Sequence, residues 1–160
     1  MPFRRRIEKK TNYRKRLALL KSGLPRIVIR KSLNYVNVQM VNYEPYGDKV
    51  IFAFSSKSLK KFGWSKNCSN TPAAYLVGFL FGMEAKKRNL LKAVVDFGLQ
   101  RSTKGNLLYA VIAGLKDAGL DINVDSNMLP SDERIKGKHI SDDIENEFQE
   151  VKKKIQESYQ

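Results

Sequence analysis

The side chains of this sequence best equipped for chemistry are cationic, and they come early. Arg4, Arg5, Arg6, Lys9, Arg14, Arg16 and Lys21 stand within the first stretch of chain, interleaved with Thr11, Asn12 and Tyr13. A guanidinium offers a rigid fork of N–H donors that fits a phosphate bidentately, and an ammonium adds a point charge. An aromatic ring among them can stack on an unpaired base or a ribose. This is the chemistry of polyanion recognition. It favours nucleic acid over a solvated tail or a localisation signal, although charge alone does not say which nucleic acid.

Three smaller sets extend the first. Tyr35, Asn37 and Gln39 alternate along one stretch, and Arg26, Arg30, Ser32 and Asn34 come just before them. An exposed aromatic among amides on a strand suits RNA, but an ordinary solvent-facing strand would look the same. Arg101-Ser102-Thr103-Lys104-Gly105 precedes a helical pattern, where backbone amides and Lys104 could hold a phosphate. The glycine spacing of a Walker loop is absent, and a polar surface loop is the simpler reading. Arg134, Lys136, Lys138 and His139 form a second, smaller basic cluster.

Groups for covalent or metal chemistry are scarce. His139 is the only histidine and Cys68 the only cysteine, so neither a Ser-His-Asp triad nor a thiolate cluster can be assembled. Asp96, Asp117, Asp121 and Asp125 can be imagined as a two-metal nuclease set, but their spacing fits no acid motif. No catalytic residue, metal, cofactor or small-molecule substrate is therefore expected. A single cysteine also excludes an internal disulfide, which fits a reducing compartment.

The formal net charge of the 160 residues is +14, and its distribution matters more than its size. Residues 1–31 hold twelve Lys and Arg against one acid, Glu8; the remaining 129 residues hold eighteen and fifteen. The charge is thus an arm. Alone in water it repels itself, so it is expected to stay unfolded until it condenses on RNA, DNA or an anionic membrane. No apolar h-region follows the basic start, so no secretory signal is expected. The longest apolar run, residues 73–83, is too short to cross a bilayer.

The elements that must position these groups follow from hydrophobic period. Residues 13–21 have helical potential, with Leu17, Leu19 and Leu20 available to dock on a core; Gly23 and Pro25 end it. Residues 26–30 form a short strand. Residues 34–43 alternate, with Val36, Val38 and Met40 on one face and Tyr35, Asn37, Gln39 and Val41 on the other. A turn at residues 44–48 leads to a return strand at 50–55 with Phe52 and Phe54 on one face. A polar connection, 57–70, contains Trp64. Asn70 or Thr71 with Pro72 then starts a helix running to about Arg88. Residues 91–97 read as a central strand covered on both faces. Residues 106–118 form a second helix ended by Gly119, and 120–124 an edge strand or extended segment. The Gly78/Gly82 pair suits close helix–sheet packing. Residues 125–140 look loop-like. Residues 141–160 read as a solvated helix whose narrow stripe (Ile144, Phe148, Val151, Ile155) would pack lightly or against a partner.

The expected fold class is therefore α/β. Three antiparallel strands are followed by α-β-α in one mixed sheet, with helices packed on one face and the other face left open. A basic N-terminal arm (1–23), a core (24–125) and a polar loop with a C-terminal helical tail (126–160) divide the chain.

An ordered set of segments resembles a known family. Arg4-Arg5-Arg6, Thr11-Asn12-Tyr13, Arg16-Leu17, Leu20-Lys21-Ser22-Gly23, Pro25-Arg26 and Arg30-Lys31-Ser32 come first. Phe62-Gly63-Trp64, Asn70, Pro72-Ala73-Ala74-Tyr75-Leu76, Asp96, Gly98-Leu99, Asp117 to Ile122, Gly137 and His139-Ile140 continue it. Across about residues 3–140 the chain resembles the archaeal type of the 5S-rRNA-binding ribosomal protein family L-eighteen. The resemblance implies an α/β sandwich with a basic extension. It also implies a structural, cytoplasmic constituent of the large ribosomal subunit that binds 5S rRNA and helps attach it to the large-subunit (23S-type) rRNA in the central protuberance. Partners would include neighbouring ribosomal proteins, among them family L-five, and no membrane. Carried over by position, RNA contacts would include Arg4, Arg5, Arg6, Thr11, Tyr13, Arg14, Arg16, Arg26, Arg30, Ser32, Asn34 and Gln39. Residues beyond about 141 do not match well. Two other classes remain open from the residues alone: an RNA-processing enzyme, and a membrane-surface protein with a polybasic arm.

Overall fold

The computed structural model describes residues 3–159, the side chain of Asp142 excepted. Strands β1 (Arg26–Lys31), β2 (Val36–Asn42) and β3 (Lys49–Ser55) form the antiparallel meander that the alternation predicts. A fourth strand, β4 (Val94–Asp96), adds in parallel to β1, so the sheet order is β3-β2-β1-β4. The mixed α/β class is thereby met. Ile27, Ile29, Val36, Val38 and Met40 are fully buried on one sheet face, and Phe52 and Phe54 pack with them. The register shifts between Met40 and Val41, and Val41 is buried rather than exposed with its neighbours.

Two helices cover that apolar face: α3 (Thr71–Lys87) and α4 (Leu107–Asp117), numbered after two arm helices described below. Asn70 caps α3, its side-chain oxygen accepting from the Ala73 N–H at 2.9 Å, and Pro72 sits in the first turn. Glycine sets the distance between these helices. A Cβ at Gly78 would collide with the Val111 carbonyl, and one at Gly114 with the Tyr75 carbonyl and, at 2.7 Å, the Phe79 nitrogen. The Gly78/Gly82 pair therefore serves helix–helix packing rather than the expected helix–sheet packing. A helical partner with its own glycine lets two backbones touch, whereas a sheet face covered in branched side chains does not.

Other expectations are corrected in the same way. The run at 91–97 is not a central strand. Val94–Asp96 pair with β1 at the sheet edge; on the other side, among the described residues, Lys92 alone bridges, to Asp121, and Leu91 remains 44% exposed. The 57–70 connection is not merely polar. Ser56–Phe62 form a 3-10 segment closed by left-handed Gly63, and Trp64 is 1% exposed in the core. The stretch 125–140 contains a 3-10 turn, Ser126–Met128, and a short helix α5 (Asp132–Lys136). Beyond Leu120 only a single bridge, Lys92 to Asp121, extends the pairing.

The C-terminal helix α6 (Asp142–Glu157) is not lightly packed. Its whole stripe, Ile144, Phe148, Val151 and Ile155, joins the main core. Polar ties fix it as well. Glu147 accepts from the Ser65 backbone N–H and, at 3.0 Å, from the Ser65 hydroxyl. Lys152 Nζ donates to the Tyr75 hydroxyl at 2.6 Å, and that hydroxyl donates to Asp117. The Lys152 ammonium also lies over the Tyr75 and Phe79 rings at about 5 Å. Gln160, included in the sequence-based helix, lies outside the described residues.

Candidate nucleic-acid interface

Against the expectation that self-repulsion leaves the arm unfolded without RNA, it holds two short helices in the chain alone, α1 (Arg4–Ile7) and α2 (Tyr13–Leu20), because contacts to Glu8, Gly98 and Asp48 offset part of the repulsion. Lys9, in the left-handed region at φ 51°, lies between them. Asn12 caps α2 through its side chain, accepting from the Lys15 N–H at 3.1 Å. Thr11 Oγ1 accepts from Arg5 Nε at 2.9 Å, and the Tyr13 ring packs on Phe3 with centroids 4.9 Å apart. Arg4 and Lys10 both reach Glu8, at 2.8 and 2.9 Å. The Lys10 bond first, and then the Arg4 bond, hold the Glu8 carboxyl below its ordinary range. Neither helix buries a side chain. Leu17 is 59% exposed, and Leu19 and Leu20 are half-buried without joining the core, so the expected docking on the core does not occur; Leu19 lines the groove below.

That groove runs between α2 and the open face of the sheet. Arg5, Thr11, Asn12, Tyr13 and Arg16 line one side; Arg30 and Gln39 line the sheet side, with Gly98 and Gln100 at one edge. Arg6, Lys9 and Arg14 border a smaller recess on the other side of Tyr13. The arm and the sheet face thus build one surface. Asn37 is exposed on the same strand face, and Asn34 is exposed in the β1–β2 turn. Lys21, also exposed, follows α2. Ser32 staples that turn, its hydroxyl donating to the Tyr35 carbonyl at 2.9 Å. Tyr35 is half-buried against the core edge, so it is less free than the alternation predicts.

The sheet floor of the groove is organised by ion pairs. Arg26 is 2% exposed; both of its Nη atoms are paired, while its Nε is buried without a partner among the described residues. Its Nη1 meets Asp96 Oδ2 at 3.1 Å, and its Nη2 meets Asp48 Oδ2 at 2.6 Å. Asp48 Oδ1 also binds Arg16 Nη2, at 2.8 Å. Burial raises the Asp48 carboxyl, but hydrogen bonds from Arg26 and Arg16 outweigh it and hold the group below its usual range. Arg30 Nη1 donates to the Asp96 carbonyl at 2.6 Å, and its guanidinium lies over Gly98, where any Cβ would crowd it at 2.9 Å. Gln100 bridges to β1, donating to the Ile29 carbonyl at 2.7 Å and accepting from the Lys31 N–H at 2.9 Å.

Sequence reasoning misses Asp48, Gly98 and Gln100. The one signal that could have found any of them is an acid, Asp48, in a turn near a cationic arm.

A second basic recess lies elsewhere. Lys104 and His139 line it together with Lys31 and Arg134, near the starts of α3 and α4. Lys138 is exposed next to His139. The four aspartates considered for metal chemistry are dispersed in roles. Asp96 binds arginines, Asp117 binds Tyr75, Asp121 forms the isolated bridge and Asp125 caps a 3-10 turn. Among the described residues no His, Cys, Asp and Glu set converges as a metal site. Among them, too, no helix is long and apolar enough to cross a membrane.

A small α/β domain with a cationic arm laid across its open sheet face defines a class: a basic protein shaped to receive a polyanion. Comparison with known proteins gives the family. A family model described as "Ribosomal large subunit proteins 60S L5, and 50S L18" matches residues 1–91. The large ribosomal subunit protein uL18 of Korarchaeum cryptofilum is 48% identical over 139 residues, covering 87% of this chain and 71% of that protein. The protein of the same name from Methanococcus maripaludis is 48% identical over 140 residues, covering 88% and 72%. The chain belongs to this family of large-subunit ribosomal proteins. It is a structural, non-enzymatic constituent of the cytoplasmic large ribosomal subunit, with rRNA and ribosomal proteins as its partners.

Proposed function

We propose that this chain binds 5S rRNA and helps attach it to the large-subunit rRNA in the central protuberance, beside the ribosomal protein of family L-five. One observation carries the reading: the arm cations and the polar sheet face meet in a single groove lined by Arg5, Tyr13, Arg16, Arg30 and Gln39. In that reading Arg4, Arg5, Arg6, Lys9, Arg14 and Lys21 contact phosphates. Tyr13, Asn34, Asn37 and Gln39 follow the shape of the RNA. Thr11, Asn12, Ser32 and Arg26 act from within, holding the arm, the turn and the floor in register. Lys104, Lys138 and His139 supply a further, smaller contact. Residues 1–23 serve as the RNA arm, 24–125 as the scaffold, and 126–160 as a C-terminal segment closing the helix side.

The test is filter binding of the full chain to 5S rRNA and to an unrelated structured RNA of similar length, at one salt concentration. The reading requires a clear preference for 5S rRNA. Equal affinity for the two RNAs would overturn the specific assignment and leave general rRNA binding.

A further inference from the structure

A helix with no fully buried side chain gains little from the hydrophobic effect. In α2 Leu17 is exposed and Leu19 and Leu20 are only half-buried, Leu19 beside Val28, Val41 and Val50 in the groove, so apolar anchoring is weak, and the cations around it repel one another. Two polar ties connect it to the domain. Lys15 Nζ donates to the Gly98 carbonyl at 3.3 Å, and Arg16 Nη2 pairs with Asp48 Oδ1 at 2.8 Å. Both have a charged donor, but the second also has a charged acceptor and is shorter, and so is the stronger of the two.

Asp48 is itself firmly placed. Its other oxygen holds Arg26 Nη2 at 2.6 Å, and Arg26 is held from the opposite side by Asp96 of β4. One carboxylate in the β2–β3 turn therefore joins the arm helix to β1, and through Arg26 to β4. A negative charge on a surface meant for RNA is a Coulombic cost to binding. Its presence in the lining of the groove calls for a compensating role.

We propose that Asp48 is the positioning residue of the RNA-binding arm. Its carboxylate bridges Arg16 and Arg26 and holds α2 across the open sheet face, so that arm and sheet form one surface before RNA arrives. This rests on the RNA-binding reading for its purpose, though the tether itself exists without RNA. The gain is preorganisation: RNA then meets a formed groove and need not order a mobile, self-repelling segment. The sign of the effect is distinctive. If Asp48 only diluted the positive field, removing its charge would tighten RNA binding. If it positions the arm, removing its charge weakens binding although the surface becomes more positive.

The experiment uses the full chain. Hydrogen exchange sampled from milliseconds, without RNA, is measured on wild type, Asp48→Asn and Arg16→Ala. The proposal expects the amides of residues 13–20 to exchange about tenfold faster in both variants, with those of β1 and β2 unchanged. Filter binding to 5S rRNA then compares Asp48→Asn with Glu44→Gln, which removes one negative charge from the same turn without touching Arg16. Asp48→Asn is expected to bind roughly tenfold more weakly than wild type, and Glu44→Gln equally or more tightly. Unchanged arm exchange in Asp48→Asn, or RNA binding by Asp48→Asn as tight as by Glu44→Gln, overturns the proposal. Should Asp48→Asn fail to fold because Arg26 loses a partner, Arg16→Ala decides: it leaves the Arg26–Asp48 pair intact, and unchanged exchange there is equally fatal. If wild type shows no salt-dependent RNA binding, the RNA reading fails, while the exchange data still decide whether Asp48 tethers the arm.

Discussion

Gly114 of α4 stands against the backbone of Tyr75 in α3, and no side-chain carbon fits between them. A Cβ at Gly114 would collide with the Tyr75 carbonyl and sit 2.7 Å from the Phe79 nitrogen. Both are backbone atoms inside a helix and cannot swing aside. Gly114→Ala must therefore push the two helices apart or bend one, and we expect it to destabilise the fold by about 3 kcal/mol or more, at the upper end of overpacking costs. Urea denaturation of the variant measures this. A midpoint equal to wild type would show that the helices can separate freely.

The Arg26–Asp96 pair makes a second prediction. The Arg26 side chain is 2% exposed and that of Asp96 11%, so removing Asp96 leaves a buried guanidinium with Asp48 as its one remaining carboxylate partner. Asp96 also accepts from the Gly98 N–H at 2.7 Å, which shapes the groove edge. Because Asp48 still neutralises Arg26, Asp96→Ala is expected to cost about 1–3 kcal/mol, the penalty of leaving a buried donor unmet. Arg26→Met/Asp96→Leu, which removes both charges, should recover most of that stability, because a buried pair contributes less than its breakage costs. If the double variant were as unstable as the single one, the charges themselves would be doing more than avoiding burial unpaired.

How much of this is legible in the sequence depends on what each feature needs. The meander of β1, β2 and β3 can be read because one face of residues 36–40 alternates strictly with the other. The start of α3 can be read because Asn70 and Pro72 are local signals. The edge position of β4 cannot, since residues 91–97 look the same whether a second neighbour strand exists or not. Trp64 is hidden in a polar stretch because its burial depends on contacts remote in sequence, as the tie of its neighbour Ser65 to Glu147 of α6 illustrates. The cations of the interface are plain from charge. Their organiser, Asp48, is not, because its meaning lies in two distances to arginines far apart in the chain.

The C-terminal helix should matter for stability and not for RNA. Phe148 is 4% exposed and packs on Tyr75 with ring centroids 5.3 Å apart, on the helix side of the sheet. Phe148→Ala is expected to destabilise by about 3–5 kcal/mol in thermal or urea unfolding. Its affinity for rRNA, measured well below the new melting point, should equal that of wild type. A selective loss of RNA binding in a fully folded variant would place α6 at the interface instead.

Alkaline titration reports on the end of the same helix. The Tyr159 hydroxyl donates to Glu84 Oε2 at 3.1 Å; burial first, and then this carboxylate, push the phenol up to about 12. A raised folded value means that the stabilisation is fully present below the unfolded value near 10 and is lost as pH rises through about 12. The tyrosinate absorbance difference between wild type and Tyr159→Phe should therefore titrate near 12. A midpoint near the unperturbed value of about 10 would show the last turn detached.

The central claim is that the arm cations bind RNA through its phosphates, and its most direct measurement is the salt dependence of binding to 5S rRNA. The six arm cations proposed as phosphate ligands predict that affinity falls about a thousandfold between roughly 50 and 200 mM salt. Replacing Arg6 and Arg14 with alanine should flatten the slope of log K against log salt by about one unit for each phosphate no longer neutralised. An affinity that hardly changes with salt, or a slope the same with and without those arginines, would contradict it.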